Sequence, residues 1–386
     1  SARIFLIFLA LYSLLGMHFF MHNQGGSGLY LPFNMVGWVF VSVLICIGIW
    51  HLTLVKQLTF SRTQLWFLVG FAILLLPFLN PQAEWNASAQ PRFLAIAAGL
   101  LLFFALSQFQ FTEKQRHSLL YLLLGAVAIE AVYGLVQFFV LKDGNWLGYN
   151  VKVNRPYGIF QKDSVFSSFL AAGLAITFYL QRWDSKVLTS RWRQGLLSLI
   201  LIATPLLLIQ IQSRAGIYGA ILATACMLPV LWNYNRRIFW WSIALIGISL
   251  SVGLWGHTSA RAPDSYALTS GFRKLYWSHL LSMLPQSPWL GHGYGSFEYT
   301  FLHDFYAPEH ITPGMRLMEE NLDHPHNEVL FWLHEGGIVA VVGFSIPKLV
   351  EFIKSKQEKT VEYGPTVMTK LAPIAPIKRR KNKNDS

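Results

Sequence analysis

GLLSLILIATPLLLIQIQSRAGIYGAILATACMLPVLW, residues 195–232, decides the architecture. Two apolar runs stand back to back, with almost no loop around Arg214 between them. Each run approaches the roughly 20 residues that a helix needs to cross the hydrocarbon core of a bilayer. Such runs recur along the 386 residues, of which 53% are hydrophobic and only 13% charged. Soluble domains carry about 25% charged residues, so composition excludes an ordinary soluble enzyme. Inside lipid every backbone polar group must be paired, which leaves helices or closed barrels. Barrel strands read as alternating segments of about 10 residues. These runs are continuous, so helices are expected.

Hydropathy predicts about ten spans: 4–21, 35–55, 65–79, 93–111, 118–141, 164–181, 195–212, 215–232, 238–256 and 328–344. Residues 1–256 then form nine transmembrane helices, 257–327 a large outer loop, 328–344 the last span and 345–386 a basic, poorly ordered cytoplasmic tail. The net charge of +12 does not call for nucleic acid, because 21 of the 31 lysines and arginines fall in the short segments assigned to the cytoplasm and in the tail. That is the positive-inside pattern. It places both termini in the cytoplasm and the long loops, 142–163 and 257–327, outside. Cys46 and Cys226 lie within apolar runs and are expected as small core residues, with no disulfide framework.

Within the large loop, FRKLYWSHLLSM places Phe272, Leu275, Tyr276, Leu280 and Met283 on one helical face. Thr269 and Ser270 are expected to cap that helix, and Pro285 and Pro288 to end it.

Three features on the outer face carry ionisable groups. Arg214 in QSRAG reads either as a snorkelling arginine at the membrane edge or as an anion ligand in a wet cavity. Arg273 reads as a solvated helix residue or as a second cation of such a site, with Trp277 four residues on as a stacking partner. The third is HPHNEVLFWLHEGG, residues 324–337. Pro325 holds His324 in an extended conformation, so a helix is expected from His326 or Asn327. His326 then stands where water meets lipid, and an imidazole suits a general base at neutral pH. Asn327 either caps the helix or fixes the ring tautomer. An interfacial cap, or a metal site from Asp323, His324 and His326, are the alternatives. His334 and Glu335 read as structural residues deeper along the helix.

HPHNEVLFWLHEGGIVA resembles the signature of the O-antigen ligase and protein O-oligosaccharyltransferase superfamily of Gram-negative bacteria. That signature is a histidine with a small polar residue, nine variable positions and a glycine-containing end: here His326, Asn327, nine residues and Gly337. Ala340 stands where Gly, Thr or Tyr is more usual. RPYGIFQKDSVFSSFLAAGLA (Arg155–Ala175), QSRAG, FRKLYW and SPWLGHGYGSF (Ser287–Phe297) resemble further family segments in the same order. HFFMHNQGGSGLYLP and the GIFQ-to-SFLAAGL stretch lean towards the pilin-type branch. The resemblance implies an all-α, GT-C-like polytopic transmembrane helical bundle with one large periplasmic loop subdomain, in the inner membrane. It implies transfer of a glycan from a lipid diphosphate, usually undecaprenyl diphosphate, to Ser or Thr of a periplasmic protein such as pilin, or to lipid A-core in the ligase branch. O-antigen polymerase and a non-enzymatic glycan transporter are further alternatives. Carried over by residue, the resemblance implies that His326 is the catalytic base, that Arg214 and Arg273 hold the diphosphate, and that Asn327, Arg155 and Gln161 support them. It implies no cofactor and no metal, with anomeric inversion. The family usually continues with further hydrophobic helices, whereas here the sequence turns polar at Ser345.

Overall fold

A computed structural model describes residues 1–18, 32–80, 86–145, 147–151, 155–160, 162–256, 265–305, 307, 325 and 327–362; for 32–34, 256, 265–272 and 347–362 it describes the backbone alone. The described residues form helices and turns, with no strand among them. The helices are α1 (Ala2–Leu14), α2 (Pro32–Val55), α3 (Arg62–Leu75), α4 (Asn86–Ser107), α5 (Glu113–Phe139), α6 (Asp163–Trp183), α7 (Arg191–Ile211), α8 (Arg214–Tyr234), α9 (Arg236–Gly256), α10 (Ser265–Met283), α11 (Leu302–Phe305) and α12 (Glu328–Glu362). Among the described residues nine helices are long and apolar enough to cross a membrane: α2 to α9 and the stretch Glu328–Ile346 of α12. The fold is thus a polytopic helical membrane bundle. The first expected span differs. The described apolar helix there is shorter, α1 plus a 3-10 turn to His18.

Side-chain chemistry at the helix ends accounts for several boundaries. Ser61 and Gln64 make a reciprocal capping box at the start of α3, and Thr112 and Gln115 make another at α5. The first helical turns of α4 run from Asn86 through Pro91, so the expected loop at 80–92 is shorter than its prolines suggest. A proline so near a helix start gives up few hydrogen bonds. Likewise α10 begins at Ser265, so Thr269 and Ser270 are interior residues and not caps. The helix gives way after Met283 to a 3-10 turn containing Pro285. Tyr276, Leu280 and Met283 are buried as the spacing predicts, but Leu275 is exposed.

Packing centres on three helix pairs, α6 with α8, α3 with α12 and α7 with α9. Small residues set the closest approach. A side chain on Gly216 would fall 2.6 Å from Ser167 Oγ, so the glycine of QSRAG is what lets α8 lie against α6. The main core, around Leu124, Val127, Phe166, Leu170, Ile200 and Leu207, joins α5, α6 and α7. Cys46 and Cys226 do not belong to a core: both are exposed on the outside of the bundle. Two thiols on helix faces that would meet lipid need no polar partner, which is why hydropathy could not tell the two sides apart.

Candidate active site

The motif glycines at 336 and 337 break α12. Gly337 has φ 64° and ψ −164°, a conformation essentially reserved for glycine. The break would strand the last carbonyls of one helical half and the first amides of the other. The loop Ser287–Gly293 satisfies both. His292 N and Gly293 N donate to the carbonyls of His334 and Glu335 at 2.9 Å each. On the other side, Ile338 N and Val339 N donate to the carbonyls of Pro288 and Trp289 at 2.9 and 3.2 Å. Gly291, with φ 66°, passes so close to the Glu335–Gly336 peptide that only a hydrogen fits there. The SPWLGHGYG and HEGG segments are therefore two halves of one device.

Arg92, at the start of α4, clamps the same region. Its guanidinium is ion-paired with Glu335, which is only 1% exposed, and lies over the rings of Phe331 and Trp332 at 4.6 and 4.8 Å. Glu335 also accepts from Phe297 N at 3.4 Å. His334 bonds Thr300 Oγ1 through Nε2 at 2.8 Å and stacks on His292, centroids 4.6 Å apart. Tyr294 donates to the Leu74 carbonyl at 2.6 Å, and burial pushes its phenol well above the ordinary range. These groups anchor, with Glu335, His334 and Tyr294 buried.

The start of α12 is tied to α10. The indole Nε1 of Trp277 donates to the Pro325 carbonyl at 2.9 Å. Asn327 Oδ1 accepts from Val329 N and Leu330 N at 3.1 and 3.2 Å, so this residue caps the helix. Residues 325 and 327 are thus fixed on either side of position 326. Arg273, exposed, stands one turn before Trp277 on α10. Aromatic packing among Tyr276, Phe297, Phe301, Phe305 and Phe331 joins α10, the short π and α turns at 297–305 and the first turn of α12 into one unit. His279 is ion-paired with Asp304 at 2.9 Å within it.

A second group lies at the α7–α8 break. Gln212, with φ 56°, ends α7 in the left-handed conformation, and Arg214 opens α8 on the exposed side. Arg155 Nη1 donates to the Ile211 carbonyl at 3.1 Å, so Arg155 sits beside the QSR turn. Its loop is laced to α5. Gln137 Oε1 accepts from Tyr157 N and Gly158 N at 3.0 and 2.9 Å, and its amide donates to the Gly158 carbonyl. Two turns earlier, Glu130 Oε2 accepts from Ile159 N at 3.0 Å. Its other oxygen meets His18 Nδ1 at 2.5 Å, while His18 Nε2 faces the Ser13 carbonyl. Glu130, the clearest acid within a span, thereby holds a loop.

Of the sequence-derived site residues, Arg155 and Arg214 come together at the α7–α8 turn. Asn327 and Arg273 lie on the α10–α12 unit. His326 and Gln161 lie outside the described residues, as do Asp323 and His324. The sequence reading passed over Arg92 and His292. Arg92 carries the signal that drew attention to Arg214, a lone cation at the edge of an apolar run. Among the described residues no group of three His, Cys, Asp or Glu is placed to hold a metal ion.

The profile of the O-antigen ligase family matches residues 196–345, from α7 into α12, a stretch that includes Arg214, Arg273 and His326. A further similarity is to the dolichyl-phosphooligosaccharide-protein glycotransferase 2 of Pyrococcus horikoshii, 28% identical over 155 residues. That alignment covers 37% of this chain and 19% of the relative, so the chain spans about a fifth of that protein's length. No solved structure matches the chain. Neither similarity distinguishes the pilin-type branch from the ligase branch. Over residues 196–345 the chain is similar to the O-antigen ligase family.

Proposed function

We propose that the chain is an inverting, metal-independent oligosaccharyltransferase that moves a glycan from undecaprenyl diphosphate to a Ser or Thr hydroxyl of a periplasmic protein. The observation that carries this reading is the fixing of residues 325 and 327 at the start of α12, the first by Trp277 of α10, the helix that bears Arg273, and the second by the α12 cap. A base needs such anchoring to stay within hydrogen-bond reach of the acceptor hydroxyl.

In the proposed reaction His326 takes the acceptor's proton as its oxygen bonds to the anomeric carbon. The bond from that carbon to the diphosphate oxygen breaks on the opposite face, so configuration inverts. Negative charge grows on the departing diphosphate. Arg214 and Arg273 meet it, with Arg155 and Gln161 in support, and Arg155 orders the turn that presents Arg214. Fixed cations aimed at developing charge lower the barrier in a way that mobile water does not.

The second reading is O-antigen ligase, with lipid A-core as acceptor; the family matched at 196–345 is described by that name. The two are separated by supplying a lipid-linked glycan with either a pilin-like protein or lipid A-core, in an inner-membrane host lacking its own ligase. Modified protein supports the first reading and modified lipid A-core the second. Product with neither acceptor overturns both.

A further inference from the structure

The α6–α7 and α8–α9 turns lie at the end of the bundle opposite Arg214. Residues 182–193 and 232–240 hold six lysines and arginines and a single acid. That acid, Asp184, is buried, ion-paired with Arg193, and accepts from Tyr121 OH at 2.7 Å. Arg182, Lys186, Arg191, Arg236 and Arg237 are left without a carboxylate among the described residues. Arg182 is half-buried and the other four are exposed.

The two turns form one surface. Gln181 Oε1 accepts from Ser242 Oγ at 3.1 Å, which ties the end of α6 to α9. The Arg182 guanidinium lies over the ring of Tyr234, at the end of α8, at 4.3 Å. Arg236 lies over Trp232 at 4.4 Å, and Trp232 meets Trp240 edge to face at 6.1 Å. Trp232 and Tyr234 are two residues apart and project from different sides of α8, so its end carries a ring-backed cation on each side. A guanidinium over a ring face keeps its N–H edge for an oxyanion. Trp183, Trp232, Tyr234 and Trp240 are exposed, within about a turn of where α6 and α8 end and α9 begins. Trp and Tyr at the ends of spans mark the boundary between water and hydrocarbon.

We infer that this surface binds the headgroups of anionic phospholipids, with phosphate oxygens against Arg182 and Arg236 and acyl chains running past the exposed rings. Three features select that occupant. Cations with no acid to pair call for an anion. They stand beside exposed rings at the ends of membrane-spanning helices, where a soluble polyanion would find the rings turned towards lipid. An anionic lipid presents charge and apolar chain at that same level. The inference does not depend on the reaction proposed for the other end of the bundle.

The test is lipid binding to the purified full chain, measured by native mass spectrometry with phosphatidylglycerol and phosphatidylethanolamine of identical acyl chains as probes. The parent chain is expected to bind the anionic lipid more tightly and to lose that preference as ammonium acetate is raised. One cation beside such a headgroup is worth roughly a fivefold change in Kd. Arg182→Gln combined with Arg236→Gln should thus weaken phosphatidylglycerol about twentyfold and leave phosphatidylethanolamine unchanged. Arg116→Gln, an exposed cation of α5 at the same end, is the control and should change neither. Equal binding of the two lipids by the parent chain overturns the inference. So does phosphatidylglycerol binding that the double variant keeps, or that Arg116→Gln lowers as much. Polyglutamate that binds the parent chain more tightly than phosphatidylglycerol, and is lost with the same double variant, would assign the surface to an acidic protein and also overturn it. Should the double variant fail to fold, the lipid preference and salt response of the parent chain still decide.

Discussion

Gly337→Ala is the substitution most directly dictated by the break in α12. The backbone there, φ 64° and ψ −164°, costs a non-glycine residue about 1–3 kcal/mol. The new methyl would fall on the Trp289 carbonyl and 2.7 Å from Gly291 N, so the loop must withdraw. Withdrawal loses the bonds that Ile338 N and Val339 N make to Pro288 and Trp289, each worth about 1 kcal/mol. Together the expected destabilisation is about 3–5 kcal/mol. Gly99→Ala serves as the contrast, because a methyl there meets nothing within 4 Å on a helical backbone, and alanine is favoured over glycine in a helix by roughly 0.5–1 kcal/mol. Unfolding of the purified chain in mixed micelles by a denaturing detergent, followed by tryptophan fluorescence, measures both. Gly291→Ala presses on the Glu335–Gly336 peptide from the facing side. The double variant should therefore cost less than the sum of the singles, since each alone already expels the loop. A Gly337→Ala chain as stable as the parent would refute the docking of residues 287–293 into the helix break.

Other expected outcomes rest on charge. Arg92→Met leaves Glu335 buried without its cation, which should cost about 3–5 kcal/mol; Arg92→Met with Glu335→Leu should recover much of that loss in the same unfolding assay, and no recovery would mean that the pair is not the source. Asp184, at the opposite end of the bundle, is raised by burial but held on balance below the ordinary carboxylate value, because Tyr121 OH, Lys186 N and Arg193 bond or face its charged form. A carboxylate lowered in the folded state adds stability that is complete above the ordinary value of 3.8 and is lost as pH falls through the folded one. Acid titration of stability should show this limb in the parent chain and lack it in Asp184→Asn.

Hydropathy located nearly every helix because burial in lipid constrains long windows of sequence and tolerates error at their ends. What it could not see depends on chain segments far apart. Arg92 and Glu335 are 243 residues from each other, and nothing in either neighbourhood names the partner. The glycine end of the 324–337 motif was legible as a family signature, but its physical role comes from a loop some 46 residues upstream that supplies four backbone bonds. Leu275 and the cysteines show the same limit from the other direction: an apolar side chain is equally content against lipid or core, so apolar spacing alone does not say which it faces. For the candidate site, sequence singled out Arg155, Arg214, Arg273 and Asn327. The structure joins the first two at the α7–α8 turn and the last two on one aromatic unit.

The central claim is that this outer face transfers a lipid-linked glycan using His326, Arg214 and Arg273. The most direct measurement is glycan transfer by the purified chain, reconstituted with an undecaprenyl-diphosphate-linked oligosaccharide and a pilin-like or lipid A-core acceptor, in the presence of a chelator. The account predicts product from the parent chain, with inverted anomeric configuration, and loss of transfer by at least about a hundredfold in His326→Ala, the scale of a lost general base, with comparable loss in Arg214→Ala. Full transfer by both variants would contradict it.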